Sequence, residues 1–257
     1  MLFGEHAKCE AEAEYPELWQ GLVGAWSPCL SPPGGTVLRE LSGKGNHGTL
    51  TLMDPATDWV LSQGKGALDF DGSNDYVTFP AQTYTGDWTF VAWNNPSSLR
   101  NWSGVVGNGP PNNFTRVITD ASGNIAAASS DNTVVSATAS VFVANAWRML
   151  AVMRLGSTLY YSVNGGAMAV MPGSVAGKTF IFSTIGVGYY YWLGMIGDVL
   201  LWPVAKPAHE MSQLYRLGPG GWATPRRRRW NYVTAQTAIP YWVFGRKNAR
   251  LIGGGVT

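Results

Sequence analysis

Charge is what this 257-residue chain has least of. Asp, Glu, Lys and Arg together make up 13% of it, well below the usual quarter. The net charge of +2 is too small to draw a polyanion, so nucleic acid is not an expected partner. Cysteine is nearly absent. Cys9 and Cys29 make no disulfide framework, and both are expected as free thiols. No run of about 20 apolar residues occurs, so no membrane span is expected. Met1 to Leu18 has neither the basic start nor the apolar stretch of a secretory signal, so synthesis in the cytoplasm without export is expected. Catalytic signatures are missing as well. There is no G-x-S-x-G elbow and no HExxH pair. His6, His47 and His209 stand far apart in the chain. The chain is therefore not expected to be an enzyme.

Glycine is abundant at 32 residues and tryptophan at 12. Aromatics with few charges argue against disorder and suit a β-rich protein with glycine turns. Short apolar segments recur at regular spacing: 22–26, 49–52, 67–70, 76–79, 88–93, 104–107, 116–119, 124–127, 133–135, 147–154, 159–163 and 198–202. Turn chemistry separates them, as at 120–124 and at Asn164-Gly165, where Asn-Gly supplies the positive φ of a tight hairpin turn. Strands of this kind without helical crossovers predict an antiparallel sandwich or barrel. Pro207 to Tyr215 predicts one short amphipathic helix.

Charge is also unevenly placed. Glu5, Glu10, Glu12, Glu14 and Glu17 crowd the start, and no acid follows Glu210. The end carries Arg226, Arg227, Arg228 and Arg229, then Trp230, Tyr241, Trp242 and Phe244. The expected layout is an N-terminal arm at 1–20, with a helical turn near Ala11–Glu14 that Pro16 stops. A sandwich at 21–217 and a basic, aromatic C-terminal arm at 218–257 follow. Arg226 to Arg229, Trp230, Tyr241, Trp242 and Phe244 are the candidate assembly contacts, with Trp222 as a further apolar anchor, because aromatics and arginine dominate interface energetics.

Three segments carry a resemblance: GLVGAW…LSGKGNHGTL at the start, GKGALDFDGSNDYVTFP after it, and GMIGDVLLWPVAKPAHEMSQLY near the end. They resemble the laminin-G-like, concanavalin A-like jelly-roll family, with an ending similar to that of pentraxins. The resemblance covers residues 21–217. It implies an all-β, antiparallel two-sheet jelly-roll sandwich with one short C-terminal helix. It also implies a binding or assembly module of a kind found in bacteriophage virion proteins. GPGGWATPRRRRW is similar to endings of such phage proteins. The function expected first is therefore a structural protein of a phage-like virion, a capsid decoration or tail-associated protein on the virion surface. Its partners would be other virion proteins and further copies of itself. The alternative is a carbohydrate-binding lectin or adhesin module that takes host surface glycans. Family hydrolases carry paired glutamates as ExDxxE, and this chain has no such run.

Candidate sugar-stacking residues are Trp102, Tyr189, Tyr190 and Trp192; alternation along a strand would place half of 189–192 in the core. Calcium is common in the family, and Asp69, Asp71, Asn74 and Asp75 gather oxygens in one region. Those residues also form turns, the loop at 186–192 has no carboxylate, and Glu40 stands where the family has aspartate. No cofactor or metal is expected. Gly43 to Gly48 matches a dinucleotide-binding spacing, but a β-patterned segment follows it where that motif needs a helix. His47, in the same turn, is expected to make a structural hydrogen bond.

Overall fold

The structure, a computed structural model, describes residues 6–109 and 115–226. Its strands are β1 (Gly24–Trp26), β2 (Val37–Leu38), β3 (Gly48–Thr51), β4 (Trp59–Ser62), β5 (Lys65–Asp71), β6 (Tyr76–Tyr84), β7 (Trp88–Pro96) and β8 (Ser103–Gly107). They continue with β9 (Arg116–Thr119), β10 (Ile125–Ala128), β11 (Val134–Ala137), β12 (Arg148–Leu155), β13 (Thr158–Val163), β14 (Ala169–Met171), β15 (Phe180–Ile185) and β16 (Leu193–Trp202). The helices are α1 (Pro16–Trp19) and α2 (Ala208–Leu217).

The strands form two antiparallel sheets, as the jelly-roll expectation required. The back sheet runs β14-β13-β12-β7-β16-β5-β4, with β1 also paired to β16. The front sheet runs β11-β10-β9-β8-β15-β6-β3-β2. Side chains alternate between the faces of a strand, so each sheet sends one set inward. Phe90 of the back sheet stacks on Phe182 of the front sheet, with ring centroids 6.3 Å apart. Trp88 meets Phe180 and Phe182 at 5.0 and 5.1 Å. Aromatic pairs at these separations add to the burial of their own surface.

A second core covers the outer face of the back sheet. Val91, Trp93, Met149, Ala151, Leu200 and Trp202 point out of the sandwich and are buried under Leu18, Trp19, Met211, Leu214 and Trp222. This is why β7 and β12 are apolar on both faces. It also corrects the expected layout. Residues 6–20 and 218–226 are not free arms; they belong to one compact unit that ends at Arg226. The unit's ends pair with each other: Ala7 N–H donates to Ala223 O at 2.7 Å, Glu14 N–H to Thr224 O at 2.9 Å and Arg226 N–H to Glu12 O at 2.6 Å. Pro16 begins α1 where it was expected to stop a helix, since its fixed φ suits the first helical position. The turn before it is a 3-10 turn at Glu10–Glu12. The expected arm contacts at 227–257 lie outside the described residues.

A buried carboxylate joins the two cores. Asp198 of β16 accepts hydrogen bonds from Ser27 Oγ at 2.6 Å, from Trp222 Nε1 at 2.8 Å and from Gly220 N. Burial pushes its carboxyl above the ordinary range, and the three donors only partly offset that. Glu40 serves the opening in the same way, accepting from the N–H groups of Ala25, Ser42 and Lys44. His47 Nδ1 accepts the Glu40 N–H at 3.0 Å, a structural bond. The Gly43 to Gly48 segment is a turn that enters β3, with no helix behind it.

Candidate functional site

The site is built where the loop at 186–192 crosses β8 on the outer face of the front sheet. Two glycines make that crossing close. A Cβ on Gly104 would lie 2.0 Å from the Gly188 N, and a Cβ on Gly188 would lie 2.5 Å from Ile118 Cγ2. Backbone bonds then fasten the loop: Tyr190 N–H donates to Trp102 O at 3.0 Å and Gly104 N–H to Tyr190 O at 3.1 Å. Ser103 Oγ donates to Tyr191 O at 2.9 Å. Trp102 N–H in turn donates to Thr119 O at 2.7 Å.

These bonds hold Trp102 at φ 62°. The left-handed region costs a residue with a Cβ about 1–2 kcal/mol, and bulky side chains are seldom found there. The indole is nonetheless 43% exposed. Beside it, Tyr189 and Tyr190 are 61% and 53% exposed, with their rings edge to face at 5.1 Å. The guanidinium of Arg116 lies 5.9 Å from the ring centroids of both Trp102 and Tyr189, within cation–π range. Its Nη2 donates to Asn132 Oδ1 at 2.7 Å, and burial lowers its pKa. Two exposed aromatic rings thus stand on one buried cation, and Tyr190 packs edge to face on one of them.

The ridge divides two hollows. On one side a cleft of about 190 Å³ lies on β9, β10 and β11. Its floor is Ile118, Ala126 and Val134, and its wall carries Asp120, Asn124, Ser136 and Thr138. On the other side an open depression is lined by Gly72, Ser73, Arg100, Asn101, Tyr190 and Tyr191. Apolar floors with a few placed polar groups suit small ligands.

The structure brings Trp102, Tyr189 and Tyr190 together and removes Trp192 from the set. Trp192 is 1% exposed and packs on Phe142 with ring centroids 5.7 Å apart. Strand alternation fails at 189–192 because the segment is a looped reversal. Val187 bridges Tyr191, and Trp192 N–H donates to Gly186 O at 2.8 Å, which turns the last ring inward. Trp222, expected as an assembly anchor, is buried in its own chain. Arg226 is exposed and described; Arg227 to Arg229, Trp230, Tyr241, Trp242 and Phe244 lie outside the described residues.

The acidic turn also has a plain role. Asp71 Oδ1 accepts from the Ser73 and Asn74 N–H groups, and Asp75 Oδ2 from the Asp71 N–H. Among the described residues no three His, Cys, Asp or Glu side chains gather as a metal site. Asp120, the carboxylate of the cleft wall, accepts from Ser122 N, Asn124 N and Asn124 Nδ2. Its pKa is lowered: burial works upward, and those hydrogen bonds outweigh it. A carboxylate held ionised in its own turn is a poor proton donor.

Sequence reasoning missed Arg116, Arg100 and the cleft floor. Arg116 lies far from Tyr189 in sequence, and only the pairing of β8 with β9 and the crossing loop joins them.

No curated protein matches the sequence. Solved structures do match the fold. Domain 4 of AbnA, a GH43 extracellular arabinanase from Geobacillus stearothermophilus solved in complex with arabinotriose, is 15% identical with a TM-score of 0.56, over 79% of this chain and 98% of that one. The receptor binding domain of botulinum neurotoxin C/D mosaic serotype is 11% identical with a TM-score of 0.55, over 80% of this chain and 55% of that one. Trypanosoma rangeli sialidase in complex with sialic acid is 13% identical with a TM-score of 0.55, over 76% of this chain and 33% of that one. The match thus spans about half of the toxin domain and a third of the sialidase. A family model described as the concanavalin A-like lectin/glucanases superfamily matches residues 71–212, more than half of the sequence. With the two-sheet topology, that match places the chain in the concanavalin A-like lectin/glucanase superfamily.

Proposed function

We propose that this protein is a non-enzymatic carbohydrate-binding module whose site is the ridge of Trp102, Tyr189 and Tyr190 with the cleft on β9 to β11. The observation that carries this reading is Trp102, an exposed indole held in a strained backbone conformation by hydrogen bonds from two directions. Backbone strain is kept where surrounding structure enforces it, and it concentrates at ligand sites. Exposed aromatic rings offer flat apolar faces to the C–H faces of a sugar. Asn124, Ser136 and Thr138 supply hydrogen-bonding groups beside them. The likeness to an arabinanase domain solved with arabinotriose, and to a toxin receptor binding domain, supports a binding role over a catalytic one.

The test is a titration of glycans followed by tryptophan fluorescence and calorimetry. Trp102→Ala should lower affinity at least tenfold, while Tyr215→Ala on α2, away from the ridge, leaves it unchanged. No binding across a broad glycan array would sink the reading.

A second reading is display on a phage-like virion, through contacts made beyond Arg226. It is favoured by where the basic run starts. The Arg226 backbone is bonded to Glu12, and Glu10, Glu12 and Glu14 are exposed there. Attachment at that end and glycan binding at the ridge are compatible in one virion-surface protein. Native mass measured at low and high salt tests it: an oligomer that loosens with salt supports charge-driven assembly, and a monomer at every salt counts against assembly with its own copies.

A further inference from the structure

The two hollows beside the ridge differ in chemistry, and the difference names a class of ligand. The cleft on β9 to β11 has an apolar floor, and its Asp120 carboxylate is committed within its own turn. The opposite depression has one guanidinium and no carboxylate in its lining. Arg100 Nη1 donates to Gly72 O at 2.9 Å, which fixes the guanidinium and leaves its other N–H groups for a ligand. That seat is cut for arginine. A Cβ on Gly72 would lie 2.6 Å from Arg100 Nη1, and Gly72 has φ +75°. Asn101 Oδ1 is taken by the Ala121 N–H at 2.9 Å, so its Nδ2 group remains as a second donor. The nearby Asp71 directs Oδ1 at the Ser73 and Asn74 N–H groups of its own turn. Among the described residues Arg100 has no ion-pair partner.

We propose that the depression beside Tyr190 is an anion subsite, and that the ligand is an acidic oligosaccharide. It would lie across the ridge with a carboxylated sugar on Arg100 and Asn101 and a neutral sugar in the cleft beyond Trp102. A planar guanidinium with a free edge matches a carboxylate in shape and charge. The inference rests on the ridge being a glycan site, and it adds the charge of the glycan.

The experiment compares an oligosaccharide of one terminal uronate on neutral sugars with its methyl ester, which keeps the sugar sequence and removes the charge. A wider array of uronate and sialylated glycans and their neutral counterparts is run alongside. The acidic forms should bind about tenfold tighter at low salt, an advantage that shrinks as salt rises. Arg100→Gln should bring the acidic and esterified forms to similar affinity; Arg100→Lys should keep part of the advantage; Trp102→Ala should weaken both forms. Thermal melts check that the variants are folded. Equal affinity for acidic and neutral forms, or an acid preference that survives Arg100→Gln in a folded variant, overturns the subsite while the glycan reading stands. Binding of no glycan in either form overturns both.

Discussion

Asp198 offers the sharpest test of how the two cores are coupled. Asp198→Ala strands three donors at once: the Ser27 hydroxyl, the Gly220 N–H and the Trp222 indole N–H. Each unsatisfied buried donor costs about 1–3 kcal/mol, and the costs do not add fully. The expected loss is about 3–5 kcal/mol. For a domain of this size that lowers Tm by roughly 10 °C. Asp198→Asn should behave differently. Its Oδ1 can take the Gly220 and Trp222 donors, and its amide N–H can point at Ser27, whose hydroxyl accepts as readily as it donates. The loss should stay below about 1.5 kcal/mol. The pH dependence has a definite sign. Burial raises the folded carboxyl above its unfolded value, so the folded state keeps the proton longer. Stability conferred by Asp198 therefore falls as pH climbs from the unfolded pKa to the folded one, and is flat outside that window. Asp198→Asn should abolish this slope. Urea unfolding followed by tryptophan fluorescence at a series of pH values reads all of this. An alanine variant that loses less than about 1 kcal/mol, or an asparagine variant as damaged as the alanine one, would refute the argument.

Three further outcomes follow from the geometry. Gly104→Ala drives a Cβ into the Gly188 backbone; it should cost about 2–3 kcal/mol and weaken glycan binding by displacing Trp102, read by urea unfolding and titration. Trp192→Ala should cost about 3–5 kcal/mol as a core truncation, while Tyr190→Ala stays within about 0.5 kcal/mol; a parallel pair of unfolding curves separates the core ring from the surface ring. Compared with truncation after Arg226, truncation after Leu217 removes Trp222 and the Gly220 donor and should lower Tm by roughly 10 °C or more, measured by circular dichroism.

The sandwich was legible because short apolar segments recur at regular spacing and the turns between them carry glycine at the positions that need it. Asn164 and Gly165 both sit at positive φ, as Asn-Gly between strands predicts. The helix after Pro207 was legible for the same local reasons. β15 was overlooked although Phe180 and Phe182 carry the alternating signal, both buried against the back sheet. β4 gives weaker alternation because it is an edge strand with no fully buried position. The packed ends were misread for a physical reason. Residues 6–20 are rich in acids, and acids signal solvent. Here the exposed Glu10, Glu12 and Glu14 share a segment with the buried Ala7, Ala13, Leu18 and Trp19. At the site, exposure of Trp102 and Tyr190 could be guessed from loop position, but the burial of Trp192 depends on a reversal that no local pattern announces.

The pairing of residues 7–14 with 223–226 has a consequence for how the module is carried. The chain enters and leaves the unit side by side, under the outer face of the back sheet, while the aromatic ridge stands on the outer face of the front sheet. The described ends therefore lie on the side of the sandwich away from the ridge. Closing so short a gap with a linker costs little entropy, so the unit suits transplantation into a host loop or circular permutation, with new ends opened at a front-sheet turn. Such a graft would hang from a single point like a bead on a stalk, with its aromatic ridge turned outward.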